Sequence, residues 1–228
     1  MSHCTINLIL RELMCLDKVR LHLPAGHEVK DLQDRPWILG EFIDAGNCGE
    51  IYSVWLGYSK GLVEPYNTIR AKTNVEYAIK FPLKSNRSFN HECGMYTFLA
   101  PTDRIEEWMT KRKLKFLGVP RYVALGKNNK FGIEFIVLER LGKDLHRLWE
   151  ENGKRFSAKT VVNIAIQILD VLEYLHEDGL HVHNDIKPLN ILVDPKCCDQ
   201  VYLIDFGIAF WYIEGSDRAH KSNKPNPK

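Results

Sequence analysis

Apolar residues alternate along the first half of the chain and recur at helical spacing in the second. Residues 37–57 (WILGEFIDAGNCGEIYSVWLG) hold two alternating runs around a glycine-bearing turn, which predicts two strands. Residues 75–83 (VEYAIKFPL) predict a third strand, and residues 86–99 a helix that Gly94 weakens. After Pro101, Asp103 starts a second helix with Glu106 as its capping-box partner. That helix runs through Trp108 to about residue 117, where Gly118-Val119-Pro120 ends it. Residues 121–126 and 132–138 read as a strand pair around a Lys127-Asn128-Asn129-Lys130 turn. The clearest helix spans residues 157–176. Val161, Ile164, Ile168, Leu172 and Leu175 share its apolar face, Ser157 is the N-cap and Gly179 the stop. Residues 191–193 and 201–204 predict two short buried strands. The order is a strand-rich first half followed by a helix-led second half.

The ends differ from this pattern. Residues 1–24 form an extension in which Leu8, Leu13, Leu16 and Val19 could line one face of a short helix. Its apolar run at residues 6–10 is too short for a signal peptide or a membrane span. From Gly215 to the end the chain is polar apart from one alanine, and a disordered tail is expected. Composition is that of a globular protein with a real core: 45% hydrophobic, 26% charged, net charge +2. No basic excess calls for nucleic acid. The cysteines (4, 15, 48, 93, 197 and 198) show no CxxC spacing, which argues against a disulfide framework or a zinc site. A reducing intracellular compartment is the expectation.

Chemistry concentrates in HVHNDIKPLNILV, residues 181–193. Asp185 and Asn190 stand five apart ahead of an apolar run, and Asp205 follows in LIDFG. By itself Asp205 reads equally well as a turn cap before Gly207. Together, Asn190 and Asp205 offer hard oxygens suited to Mg²⁺ held partly by phosphates, and Asp185 could accept a proton from an attacking hydroxyl. Such a set needs phosphate contacts elsewhere. Lys80 in an apolar strand, Gly46 and Gly49 in the preceding turn, and Glu92 as a counter-charge for Lys80 provide them in order.

These residues resemble the eukaryotic protein kinases. His183-Asn184-Asp185-Ile186-Lys187-Pro188-Leu189-Asn190 matches the catalytic loop of that family, Asp205-Phe206-Gly207 its D-F-G, and Tyr77-Ala78-Ile79-Lys80 its V-A-I-K. DRIEEWMTKRKLKFLGVPRY looks like the extra helix of the vaccinia-related kinases, in the casein kinase 1 group, and the resemblance begins near Gly26. It implies an α+β, bilobal protein-kinase-like fold. Residues 25–138 would be the N-lobe, with an extra helix after the Glu-bearing helix. Residues 139–142 would be the hinge, 143–214 a partial helical C-lobe, and 215–228 the tail.

It also implies ATP and Mg²⁺ as cofactors and Ser/Thr hydroxyls of proteins, chromatin-associated ones among them, as substrates. Asp185 would be the base and Lys187 would steady the γ-phosphate. Asn190 and Asp205 would hold metal, while Lys80, fixed by Glu92, would contact the α- and β-phosphates. Ile51, Ala78 and Leu192 would sandwich adenine. Leu138 would be the gatekeeper, and the backbone from Glu139 to Leu141 would bond the adenine edge. A monomer in the nucleus or cytoplasm, without direct nucleic-acid or membrane binding, is expected.

Several residues depart from the family pattern. Asp44 stands where the loop's first glycine belongs, and it is expected to turn outward. Asn184 replaces the arginine that gates many kinases through a phosphorylated loop. Phe206 stands where the vaccinia-related kinases usually carry tyrosine. The chain ends soon after D-F-G, which reads as a truncated form and would leave apolar faces of the 157–176 helix without a partner. Two rival readings remain. A small-molecule phosphotransferase is countered by Lys187 and the full Asp-Phe-Gly. A pseudokinase or scaffold that binds without transfer is countered by an intact catalytic set.

Overall fold

Alternating burial along the early strands builds a sheet first. The computed structural model describes residues 21–46, 49–57, 77–82, 88–128, 132–214 and 219–220. The chain divides into two compact units. One holds the described residues up to Cys93 with Tyr122–Arg140, the other Gly94–Arg121 with the described residues from Leu141 onward.

The first unit is a six-stranded antiparallel sheet in the order β1-β2-β3-β4-β6-β5. Its strands are β1 (Glu28–Lys30), β2 (Pro36–Gly46), β3 (Gly49–Leu56), β4 (Tyr77–Phe81), β5 (Tyr122–Asn128) and β6 (Ile133–Glu139). One face buries Trp37, Leu39, Val54, Ile79, Phe81, Phe135 and Val137, joined by Leu23 and Val29. Beyond β1, Asp31 bridges to Gly126 of β5 and draws the two sheet edges together. The Asp31 carboxylate also accepts from Arg35 and from Trp37 Nε1. Burial would raise its pKa, yet these hydrogen bonds prevail and lower it.

Helix α1 (Ser88–Leu99) begins in the first unit and ends in the second. The second unit continues with α2 (Thr102–Arg112), α3 (Leu145–Glu151) and α4 (Ala158–Glu177). Ser157 caps α4 as expected, accepting from Thr160 N–H at 3.1 Å. Gly179 follows α4, but its role is space rather than a left-handed stop: a Cβ there would lie 2.7 Å from Leu99 Cδ2. Paired short strands complete the unit. These are β7 (His181–Val182) with β10 (Phe210–Trp211), β8 (Ile191–Val193) with β9 (Val201–Leu203), and β11 (Ile213–Glu214) with β12 (Ala219–His220).

Further expectations change. Helix α2 starts at Thr102 with Pro101 at its cap, and no side chain caps it, so the Asp103/Glu106 box does not form. It ends at Arg112 rather than near 117. Lys113 turns left-handed (φ 56°), and Leu114 N–H closes on Met109 O at 2.9 Å. Residues after it are taken by β9: Leu203 N–H donates to Gly118 O at 2.9 Å. Second, Gly94–Arg121 clusters with the second unit, not with the expected 25–138 N-lobe. Tyr174 Oη donates to Leu99 O at 2.6 Å, and Trp108 packs on the Tyr174 ring. Third, within the tail expected to be disordered, Ala219–His220 pair as a strand; the rest of it lies outside the described residues, as does the 1–20 segment. His181 belongs to β7, its ring 5.9 Å from that of Phe98 and 5.8 Å from that of Trp211.

The two faces of α4 differ. Ile168, Val171, Tyr174 and Leu175 are buried, whereas Val161, Val162, Ile166 and Leu169 are more than half exposed. Val161, counted in the sequence pattern as core-facing, lies on the open side. No helix of the described residues is long and apolar enough to cross a membrane.

Candidate active site

Predicted residues gather into two groups, one in each unit. In the sheet, β4 carries Lys80 between Ile51 of β3 and Ile136 of β6 in register. Its Nζ lies 2.6 and 2.7 Å from the two Glu92 oxygens. The side chains are 12% and 2% exposed, so both charges are largely out of water and depend on each other. Cys93, next to Glu92, is buried, and burial with the nearby carboxylate pushes its thiol up to about 12. It is no nucleophile at neutral pH.

Ala78 pairs with Leu138 across β4 and β6, and with Ser53 across β3 and β4. Ile51, Ala78, Leu138 and Glu139 are each half-buried. The hairpin narrows to Gly46 opposite Gly49, and residues 47–48 lie outside the described residues. Gly49 has φ 150°, and a Cβ on it would sit 2.0 Å from Phe81 O, so only glycine fits. Asp44 is exposed, with Oδ1 accepting from Ala45 N–H at 2.8 Å. Its charge is spent on local backbone and solvent, as expected of a residue turned outward.

In the second unit the loop after β7 is held from beneath by His183, which is 1% exposed. Its Nε2 lies 3.0 Å from Ile204 O and its Nδ1 accepts Asp185 N–H at 3.2 Å. These partners call for the neutral tautomer protonated at Nε2. Burial lowers its pKa in agreement. Asn184 takes a left-handed φ of 65°, and this bend brings Asp185 round.

Asp185 Oδ2 accepts from Lys187 Nζ at 2.6 Å and from Asn190 Nδ2 at 2.9 Å. The Lys187 bond, chiefly, holds its pKa below the usual aspartate value against the opposing effect of burial. The 3₁₀ turn Pro188–Asn190 places Asn190, whose Nδ2 also donates to Asp185 O at 2.8 Å. With the amide nitrogen committed to Asp185, the side-chain oxygen is the atom left for a cation.

Ile204 N–H donates to Asn190 O at 2.9 Å, which sets Asp205 one residue away from Asn190. Asp205 is itself left-handed (φ 68°), and its N–H donates to Tyr96 Oη at 3.3 Å. Phe206 is fully buried with its ring edge-on to Tyr96 and to His183. Leu192, half-buried in β8, pairs with Asp144, while Gly142 N–H donates to Val193 O at 2.8 Å, laying the segment after Leu141 along β8.

Among the described residues no group of three or more His, Cys, Asp or Glu could hold a metal. The Asn190 and Asp205 oxygens fit Mg²⁺, which keeps water and phosphate oxygens in its shell and needs only one or two protein ligands.

Two contributors escaped the sequence reading. Tyr96 holds the backbone of Asp205; its signal was a place one helical turn after Glu92, on the same face. Asp144 caps α3, accepting Arg147 N–H at 2.8 Å, at a position where an Asp before an apolar run is an N-cap signal.

Comparison with known proteins bears on the family and the fold. The protein kinase domain model matches residues 59–224. Human serine/threonine-protein kinase VRK2 is 35% identical over 213 residues, covering 92% of this chain and 39% of that protein. Nucleosomal histone kinase 1 of Drosophila melanogaster is 35% identical over 207 residues, 89% of this chain and 31% of that protein. In fold, the structure of vaccinia related kinase 3 matches with a TM-score of 0.73 at 25% identity, over 90% of this chain and 58% of that one. The chain thus spans well under half the length of the first two relatives.

Proposed function

This chain belongs to the protein kinase family, among the vaccinia-related kinases, and from that premise we propose that it transfers the γ-phosphoryl group of Mg-ATP to Ser/Thr hydroxyls of proteins. The observation that carries the reading is the Asp185 cluster: one carboxylate, depressed in pKa and aimed by Lys187 and Asn190. A carboxylate so held stays ionised at neutral pH and can orient a hydroxyl and take its proton.

Bound Mg-ATP supplies the phosphoryl group and the metal charge. The chain's own residues supply position. Lys80, fixed by Glu92, is assigned to the α- and β-phosphates, and Lys187 to the transferring group. Asn190 and Asp205 are assigned to Mg²⁺. Ile51, Ala78 and Leu192 are assigned to the adenine faces, Leu138 to the gatekeeper position and the backbone of Glu139 to Leu141 to the adenine edge. The glycine hairpin ending in Gly46 and Gly49 offers backbone amides to the phosphates. Asn184, in place of an arginine, removes the partner that a phosphorylated loop would need, consistent with activity that requires no such switch.

One relative is named for nucleosomal histones, which supports chromatin-associated substrates and a nuclear as well as cytoplasmic location. A monomer suffices for the proposed chemistry.

The test is phosphate transfer from labelled Mg-ATP to histone by the chain and by Asp185→Asn. The substitution keeps the shape and removes the base, and transfer should fall by about a thousand-fold or more. Transfer at the unaltered rate by Asp185→Asn would remove Asp185 from its role.

A further inference from the structure

Side chains alternate along β3, so Ile51 and Glu50 point to opposite faces of the hairpin. Ile51 lies on the face assigned to adenine. Glu50 and Tyr52 lie on the other and are each only 2% exposed. No motif accounts for a buried glutamate here.

Its partners do. Glu50 Oε2 accepts from Leu21 N–H and from His22 N–H, both at 3.2 Å, and from Tyr52 Oη at 2.9 Å. Tyr52 Oη accepts in turn from Leu23 N–H at 3.2 Å. Residues 21–23 thus form a strap whose backbone donors converge on one carboxylate oxygen. Glu50 Oε1 is buried and meets no partner among the described residues, so the carboxylate is held through Oε2 alone.

The strap is fixed at both levels. Leu23 is buried in the sheet core, Leu21 packs against it, and His22 between them sits at a left-handed φ of 44° that a non-glycine residue rarely adopts. Glu50 directly follows Gly49 and pairs in register with Ala45 and with Phe81. Whatever holds Glu50 therefore holds the root of the glycine hairpin from behind.

We propose that Glu50 is a positioning residue for nucleotide phosphates: it ties the 21–23 strap to β3 and so sets the backbone amides of Gly46 and Gly49, which close the described part of the hairpin. Small displacements of such amides are costly to binding, because they act through preset geometry. The proposal rests on the ATP reading above.

The experiment measures Mg-ATP and adenosine affinity of the whole chain by calorimetry, alongside thermal unfolding. Glu50→Ala removes the acceptor, and His22→Pro removes one donor at an exposed side chain and forbids the left-handed φ. Each should weaken Mg-ATP by about ten-fold, with adenosine, which lacks phosphates, bound within about two-fold of the unaltered chain. The double variant should be no weaker than about the worse single one, since both break the same tie. His22→Gly keeps the donor and suits the left-handed backbone, and should restore affinity. Should Glu50→Ala not fold, His22→Pro and His22→Gly carry the test.

Mg-ATP affinity unchanged in His22→Pro, or equal losses for ATP and adenosine, would overturn the anchoring while leaving the ATP reading intact. An unaltered chain that binds no Mg-ATP would overturn both.

Discussion

Two lysine–carboxylate pairs of this protein have the same separation and different physics. Lys80–Glu92 and Lys187–Asp185 both close at 2.6 Å. The first pair is 12% and 2% exposed, the second 43% and 28%. Desolvated charges cannot separate without leaving one of them stranded, so the first pair is a fixed strut. Solvated charges are screened and contribute little to stability, so the second can exchange partners at small cost. A residue that must hold a sheet lysine in place belongs in the first setting. On the proposed reading, a residue that must meet an arriving phosphate and release a base belongs in the second.

The largest effect that would break this comparison is Glu92→Ala. It leaves Lys80 charged in a mostly buried place, and denaturant unfolding should show a loss of roughly 3 kcal/mol. Replacing both partners by apolar residues (Lys80→Met with Glu92→Leu) should recover most of that loss, because no uncompensated charge remains. A double variant as unstable as Glu92→Ala would mean that the pair itself, not the stranded charge, was stabilising.

Next comes pH, through the residue beneath the loop. His183 is neutral in the fold because burial lowers its pKa. The unfolded chain protonates near 6.5, so below about that pH it binds a proton that the folded chain refuses, and stability falls as pH falls. The melting temperature of the unaltered chain should drop between pH 7.5 and 5.5 by more than that of His183→Phe, which has no proton to take. Parallel curves would show that the ring is not held neutral.

The smallest expected stability change is Lys187→Met, at most about 1 kcal/mol, since the pair is open to water. Its signature lies in titration. Asp185 has a lowered pKa chiefly through Lys187, so its ionised form favours the fold. That contribution is present above the unfolded aspartate value and is lost as pH falls through the lower folded value. In Lys187→Met the Asp185 carboxyl, followed by NMR, should titrate at higher pH than in the unaltered chain. An unmoved midpoint would assign the lowering to Asn190 instead.

The catalytic loop, the Asp-Phe-Gly turn and the strand lysine were legible because each is a local run of residues whose order carries its chemistry. Ser157 as a cap was legible for the same reason. Helix α2 shows where local reading stops. Nothing within residues 113–117 forbids a helix, yet Lys113 turns left-handed and the chain beyond is drawn onto β9. Glu106 could have closed a capping box, but the backbone at Pro101 and Thr102 begins the helix two residues early. The contacts of Tyr96 and Glu50 were illegible because their partners, Asp205 and the 21–23 strap, lie far along the chain.

By itself the sequence determined the family and the order of the elements, and it named the groups proposed to react, since these depend on residue types at fixed short spacings. Tertiary structure alone decided which charges lost their water and which kept it. It buried Lys80 with Glu92 and left Asp185 with Lys187 at the surface. The physical reason is that desolvation depends on everything packed around a group, and most of what packs around these groups comes from distant parts of the chain.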